Sequence, residues 1–285
     1  MKYGDRLSGT VTALDQKGRG TFAHALANGE TRRVVVPFAS PGDVIDATFV
    51  RRDAGAWIAR LDQVRAPGPG RQPAPCPHAG QCGGCLWQHL AYDAQLALKT
   101  QSLAAAYGTA GLGDRLEPIT PCPEPLFYRN RMDYAVGWQG ELGLKAYGQW
   151  NRYLDLDTCL LLDKDTPKIL QAARDVAKEL GWHPWDARRH TGQFRYLIIR
   201  LGKRTGQRLI HVLVRDAEAV STDERARLVE RLGPLCTSLV LGENAKPTDI
   251  SYAERCAALQ GPLHFEEEIN GLRYRIHPNA FFQTN

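Results

Sequence analysis

The 285-residue chain has no apolar run long enough to cross a bilayer, and Met1 to Asp5 lack the apolar core of a secretory signal. The expected location is therefore the cytoplasm, where the seven cysteines are not expected to form structural disulfides. Internal repeats and low-complexity tracts are also missing, which leaves ordinary folded domains, two or three at this length. A net charge of +5 and a pI near 8.8 are only mildly basic, weak grounds by themselves for a nucleic-acid partner. Arginine greatly outnumbers lysine, and guanidinium forks suit phosphates and base edges. A compositional bias of the genome accounts for the total equally well, so only local clusters count. No segment offers a strand followed by a glycine-rich turn and a helix: Gly111-Leu112-Gly113 is flanked by Asp114 and Arg115, where an apolar strand would be needed.

What is present is a thiol cluster. Cys76, Cys82 and Cys85 form a C-x5-C-x2-C pattern broken by glycines, so three sulfurs within ten residues can converge on one metal centre. Thiolates suit both zinc and iron–sulfur clusters, and His78 or His89 could complete a zinc set. The spacing favours iron–sulfur, with three corners held locally and a fourth closed by a distant segment. It does not match the C-x3-C-x2-C of radical enzymes that cleave S-adenosylmethionine. Cys159 and Cys122 are candidates for the fourth ligand, and Cys236 and Cys256 read as inert buried thiols. Spacing alone does not choose among them.

Along the chain, Leu7–Ala13, Gly20–Leu26, Arg32–Pro37, Asp43–Arg51 and Ala56–Val64 read as five short strands with turns between them, the pattern of a small OB-type barrel. A proline- and glycine-rich linker from Ala66 to Pro75 leads into the cysteines. Tyr92 to Tyr107 reads as a helix with Leu96, Leu103 and Tyr107 on an apolar face that needs a partner. From Phe127 to Ile276 strands and helices alternate, with Thr166 and Pro167 opening one helix and a Ser221/Glu224 capping box opening another. This predicts an α/β domain whose mixed or antiparallel sheet is covered on one face.

Four segments, taken together, closely resemble bacterial RNA (uracil-5-)-methyltransferases. They are Cys76 to Lys99, Phe127-Tyr128-Arg129-Asn130-Arg131-Met132, Leu156-Asp157-Thr158-Cys159 and His277-Pro278-Asn279-Ala280-Phe281-Phe282-Gln283-Thr284-Asn285. The resemblance covers essentially the whole chain, and the N-terminal barrel looks like the TRAM domain of ribosomal RNA members. It implies a [4Fe-4S] cluster on Cys76, Cys82, Cys85 and Cys159 with a structural role, and contact of Gln283 with S-adenosyl-L-methionine. It also implies methylation of C5 of a uridine in RNA, with 23S rRNA the expected substrate and no membrane or obligate protein partner. In such enzymes a cysteine thiolate adds to C6 of the flipped base, C5 takes the methyl group, and a base removes the C5 proton.

The expected fold class is α/β plus all-β: a TRAM/OB-like barrel (1–66), a linker and iron–sulfur cysteine segment (67–95), a helix expected to pack on a missing catalytic domain (96–126), an α/β RNA-recognition domain (127–276), and the start of a truncated methyltransferase domain (277–285). A C-terminal Rossmann-like domain is expected to be absent. On that reading no catalytic residue is assigned, the S-adenosylmethionine site is incomplete, and the 285 residues alone are predicted inactive. RNA contacts are expected from Arg129, Arg131, Arg200, Lys203 and Arg204, the last three at a basic hairpin. The alternative is a non-catalytic iron–sulfur or zinc RNA-binding protein.

Overall fold

Turn glycines punctuate the first strands as the sequence predicts: Gly42 and Gly55 take up φ values of 89° and 77°, left-handed geometry that other residues adopt only with strain. The computed structural model describes residues 1–186 and 188–283. It divides into two units, residues 1–81 with 85–123, and residues 82–84 with 124–285.

The first unit holds β1 (Arg6–Thr10), β2 (Ala13–Leu14), β3 (Gly20–Ala25), β4 (Thr31–Val36), β5 (Val44–Asp53) and β6 (Ala56–Ala66). They form one sheet in the order β1-β5-β6-β4-β3-β2, antiparallel except for the β4/β6 pair. The strand expected over Leu7–Ala13 is broken: Val11 N–H donates to the Asp43 carbonyl, so the chain turns away from β5 and Ala13 pairs with Thr21 instead. Leu7, Phe22, Val34, Val36, Ile45 and Trp57 fill the inside, the alternate residues of strands with one wet face.

Asp43 fastens the linker to this sheet. Its wholly buried carboxylate accepts from Ser40 N–H (2.7 Å), Gly68 N–H (2.8 Å) and the Arg71 guanidinium (2.7 and 2.8 Å). Burial would raise its pKa, but the Arg71 and backbone hydrogen bonds outweigh that and hold it below the usual carboxylate range. The segment from 67 to 95 therefore does not stand apart, and all of it except Cys82–Gly84 belongs to the first unit. Helix α1 (Tyr92–Thr109) buries none of its residues, and Leu103 and Tyr107 are exposed. Its apolar residues are scattered around the axis and do not gather into the expected face.

The second unit carries β7 (Arg131–Val136), β8 (Leu142–Lys145), β9 (Tyr153–Asp155), α2 (Thr166–Glu179), β10 (Phe194–Leu201), β11 (Arg208–Val214), α3 (Thr222–Leu232), β12 (Ser238–Glu243), β13 (Arg255–Gln260) and the hairpin of β14 (Phe265–Ile269) and β15 (Leu272–Ile276). Its main sheet runs β13-β12-β11-β10-β7-β8-β9, and only β11 and β12, the pair joined through α3, are parallel. Both bonds of the Ser221/Glu224 capping box form. In α2, Asp165 takes the N-cap position, and Thr166, the expected cap, lies inside the first turn.

The sheet was expected to be covered on one face, yet β10 is buried along almost its whole length. Ile198 and Leu213 pack against Ala253, and Leu209 and Val240 against Phe265 and Ile276, so the returning chain and the β14–β15 hairpin cover a second face. That is why β10 reads as a continuous apolar run.

Candidate functional site

The register of the main sheet brings Arg131, Asp133 and Ala135 of β7 alongside Arg200, Ile198 and Tyr196 of β10. Beside them opens a cleft of about 720 Å³, lined also by Arg129, Lys145, Phe281 and Gln283. Gly83 and Gly84 close one side. Gly83 N–H donates to the Lys145 carbonyl at 3.0 Å, and a Cβ at Gly83 would press on that same oxygen.

Arg200 anchors the segment that brings Phe281 and Gln283 to the cleft. It is wholly buried and donates to the carbonyls of His277 (3.2 Å), Pro278 (2.8 Å), Ala280 (2.7 Å) and Phe282 (3.3 Å). Burial, with a smaller contribution from the Arg131 charge, pulls its pKa down to about 10, so it remains a cation at neutral pH. Asn279 adds a two-way bond to the backbone of Ala253 (2.6 and 3.0 Å), and the Phe282 ring packs on Phe265. Phe281 (87% exposed) and Gln283 are thereby held at the cleft with their side chains uncovered.

Arg131 and Lys145 each have a carboxylate partner. Arg131 binds Asp133 through two bonds (2.8 and 2.9 Å), and Ser251 donates to the same carboxylate. At the rim Asp249 accepts from Lys145 (2.5 Å), Tyr196 (2.5 Å) and Tyr153 (3.5 Å). Burial works against its ionisation, but the Lys145 and Tyr196 hydrogen bonds prevail and keep its pKa low. Behind the cleft lies His211, wholly buried and kept neutral because desolvation pushes its pKa down to about 3. Gly242 leaves room for the ring, since a Cβ there would overlap His211 Nε2. Sequence reasoning missed Lys145, Asp249, Tyr196 and His211, none of which lies in a motif.

The expected RNA-contact residues separate. Arg129 and Arg131 line the cleft. Arg200 does not face solvent at all; its guanidinium is spent on backbone carbonyls, which corrects its assignment as an RNA contact. The Lys203 ammonium is likewise turned inward, onto the carbonyls of Phe127 (2.7 Å) and Leu162 (2.8 Å). Arg204 is exposed at the β10–β11 hairpin.

Among the described residues no group of three or more His, Cys, Asp or Glu side chains is gathered to hold a metal ion. In the first unit Gln88 joins two of the expected ligands, accepting from Cys76 N–H (3.2 Å) and donating to Cys85 Sγ (3.1 Å). In the second, Cys82 Sγ accepts from Gly84 N–H (3.4 Å), and Cys159 is buried against the Tyr134 hydroxyl, whose pKa is raised well above normal by burial and by that sulfur.

No protein-family model matches the chain. It is 32% identical over 276 residues to an uncharacterized RNA methyltransferase of Nanoarchaeum equitans, aligning 96% of this chain with 57% of that protein. It is 30% identical to the 23S rRNA (uracil(747)-C(5))-methyltransferase of Pyrococcus horikoshii, covering 98% of this chain and 62% of the relative. Relatives at about this identity include RNA uracil-C5-methyltransferases that act on 23S rRNA or on tRNA. The structure of Pyrococcus abyssi tRNA (uracil-54, C5)-methyltransferase in complex with S-adenosyl-L-homocysteine superposes with a TM-score of 0.75 at 26% identity, covering 98% of this chain and 61% of that one. The chain thus spans about three-fifths of the length of the relatives it matches.

This coverage overturns expectations drawn from the chain's last residues. With 98% of the chain following a methyltransferase solved with S-adenosyl-L-homocysteine, a fold class defined by an absent Rossmann-like domain no longer stands. Nor does the description of the chain as only an RNA-binding and iron–sulfur portion, and the expected inactivity finds no support in the comparisons. The physical reason is in the cleft. Residues 277–283 are built into the second unit by Arg200, Asn279 and Phe282. Thr284 and Asn285 lie outside the described residues. No helix among the described residues is long and apolar enough to cross a membrane.

Proposed function

We propose that the protein takes part in S-adenosylmethionine-dependent methylation of C5 of a uridine in RNA. One observation carries this reading: Phe127–Met132 and His277–Gln283, far apart in sequence, meet at a single cleft, where Arg129 and Arg131 stand beside Phe281 and Gln283. A homologous enzyme of similar fold was solved with the demethylated donor. The Gln283 amide can both donate and accept hydrogen bonds to a donor molecule or a uracil edge, and the Phe281 ring offers an uncovered stacking face. Arg129 and the Arg131–Asp133 pair supply cationic, oriented donors for a phosphate or a carbonyl. S-adenosylmethionine, when bound, supplies the methyl group. Disrupting the gene and measuring 5-methyluridine separately in ribosomal and transfer RNA tests the proposal and names the RNA class. Loss from one class is expected, with 23S rRNA the favoured substrate, and an unchanged content in both defeats it.

The metal assignment rests on thiol spacing and on the resemblance to the methyltransferases. Cys76, Cys82, Cys85 and Cys159 are proposed as ligands of a [4Fe-4S] cluster that braces the fold, with no reaction step passing through it. Anaerobically purified protein should then hold about four iron and four sulfide per chain, and Cys159→Ser should lower both. Protein free of iron and sulfide, or carrying zinc in their place, contradicts the assignment.

A further inference from the structure

Away from the cleft residues, the second unit displays two uncovered tryptophans, Trp138 (53% exposed) in the β7–β8 turn and Trp150 (67%) in the β8–β9 turn. Strand β8 between them is only four residues long, and both indoles reach one cation: the Arg188 guanidinium lies 5.6 Å from one ring centroid and 5.7 Å from the other. Arg188 is presented by a built loop. His190 N–H donates to Asp186 (2.8 Å), Asp186 N–H to Thr191 (2.8 Å) and Gln193 N–H to His183 (2.9 Å), while the His190 ring stacks on Trp185. Gly192 permits the tight return, since a Cβ there would overlap the Pro184 carbonyl. Asp186 accepts from the Arg188 backbone N–H at 2.8 Å, and the Arg188 guanidinium is turned to the two indoles.

Indoles are costly to leave in water, and a guanidinium held between two of them is already ordered and keeps its charge. Flat apolar rings beside a guanidinium match an unpaired nucleobase with its phosphate, which stacks on one and pairs electrostatically with the other. Strand β8 also lends Gly143 and Lys145 to the cleft, so a strand of RNA leaving the cleft along β8 meets this platform.

We propose that Trp138, Trp150 and Arg188 form a stacking platform for an unpaired base of the RNA substrate, flanking the nucleotide held in the cleft. This rests on the reading of the protein as RNA-directed. Its test is fluorescence anisotropy of a short labelled single-stranded RNA and of a blunt duplex of equal length, across a salt series. Trp138→Ala/Trp150→Ala should weaken single-strand binding about 10- to 100-fold without changing the salt slope, because stacking releases no counterions. Trp138→Phe/Trp150→Phe should restore most of the affinity, and duplex binding should change little. Equal unfolding midpoints of the variants show that the fold is kept. Wild-type RNA binding that the double alanine variant leaves unchanged overturns the platform alone, and wild-type protein that binds neither RNA overturns the RNA-directed reading with it. Unchanged RNA affinity together with a loss of self-association would make the rings a contact between copies of the chain, and would also overturn the proposal.

Discussion

Arg200→Met should destabilise the second unit by roughly 3–5 kcal/mol. The side chain is wholly buried, and four backbone carbonyls converge on its two terminal nitrogens. Methionine fills most of the volume but leaves those oxygens without donors, and a hydrogen bond to a charged group is worth about 1.5–3 kcal/mol each before compensation. Arg200→Lys keeps the charge yet cannot spread donors over segment 277–282, so it should recover less than half of the loss. Urea unfolding reads this directly as a lower midpoint. The same variants separate the clamp from a phosphate contact: a clamp lowers stability and leaves the salt dependence of RNA binding unchanged, whereas a lost phosphate contact would flatten that dependence.

Asp43→Ala should cost the first unit a comparable amount, roughly 3–5 kcal/mol, because Arg71 and the N–H groups of Ser40 and Gly68 would lose their shared acceptor. Asp43→Asn keeps the shape and one acceptor oxygen and should cost less. The folded carboxyl has a depressed pKa, so its contribution is fully present above the unfolded value of about 3.9 and is lost as pH falls through the lower folded value. Unfolding midpoints measured from pH 6 down to pH 3 should therefore drop in the wild type, and the drop should be shallower in Asp43→Asn. Parallel pH profiles for the two proteins would show that Asp43 is not the group responsible.

Legibility in the sequence followed distance along the chain. Turn glycines, the Ser221/Glu224 cap and most strand positions of the first unit depend on neighbours a few residues away and were readable; the break within Leu7–Ala13, set by the distant Asp43 carbonyl, was not. The meeting of Arg131 with Gln283 was foreshadowed because both sit in motifs that resemble one family. Lys145 and Asp249, 104 residues apart, were silent because neither has a pattern around it. Arg200 misled for a physical reason: a charged residue beside a basic hairpin looks solvated until a carbonyl cage, formed some 80 residues later in the chain, makes its burial affordable. Lys203 stays exposed, but its ammonium is engaged by the carbonyls of Phe127 and Leu162. The cysteine spacing remains a strong sequence signal without an assembled metal group among the described residues.

The central claim is that the cleft holding Arg131 and Gln283 serves uridine methylation. Site-resolved mapping of 5-methyluridine in RNA from a strain lacking the gene, complemented with wild type or with Arg131→Ala, tests it most directly. One methylated uridine should disappear on disruption, return with the wild-type gene and stay largely unmethylated with the variant. A methylation map unchanged by disruption, or fully restored by Arg131→Ala, would contradict the account.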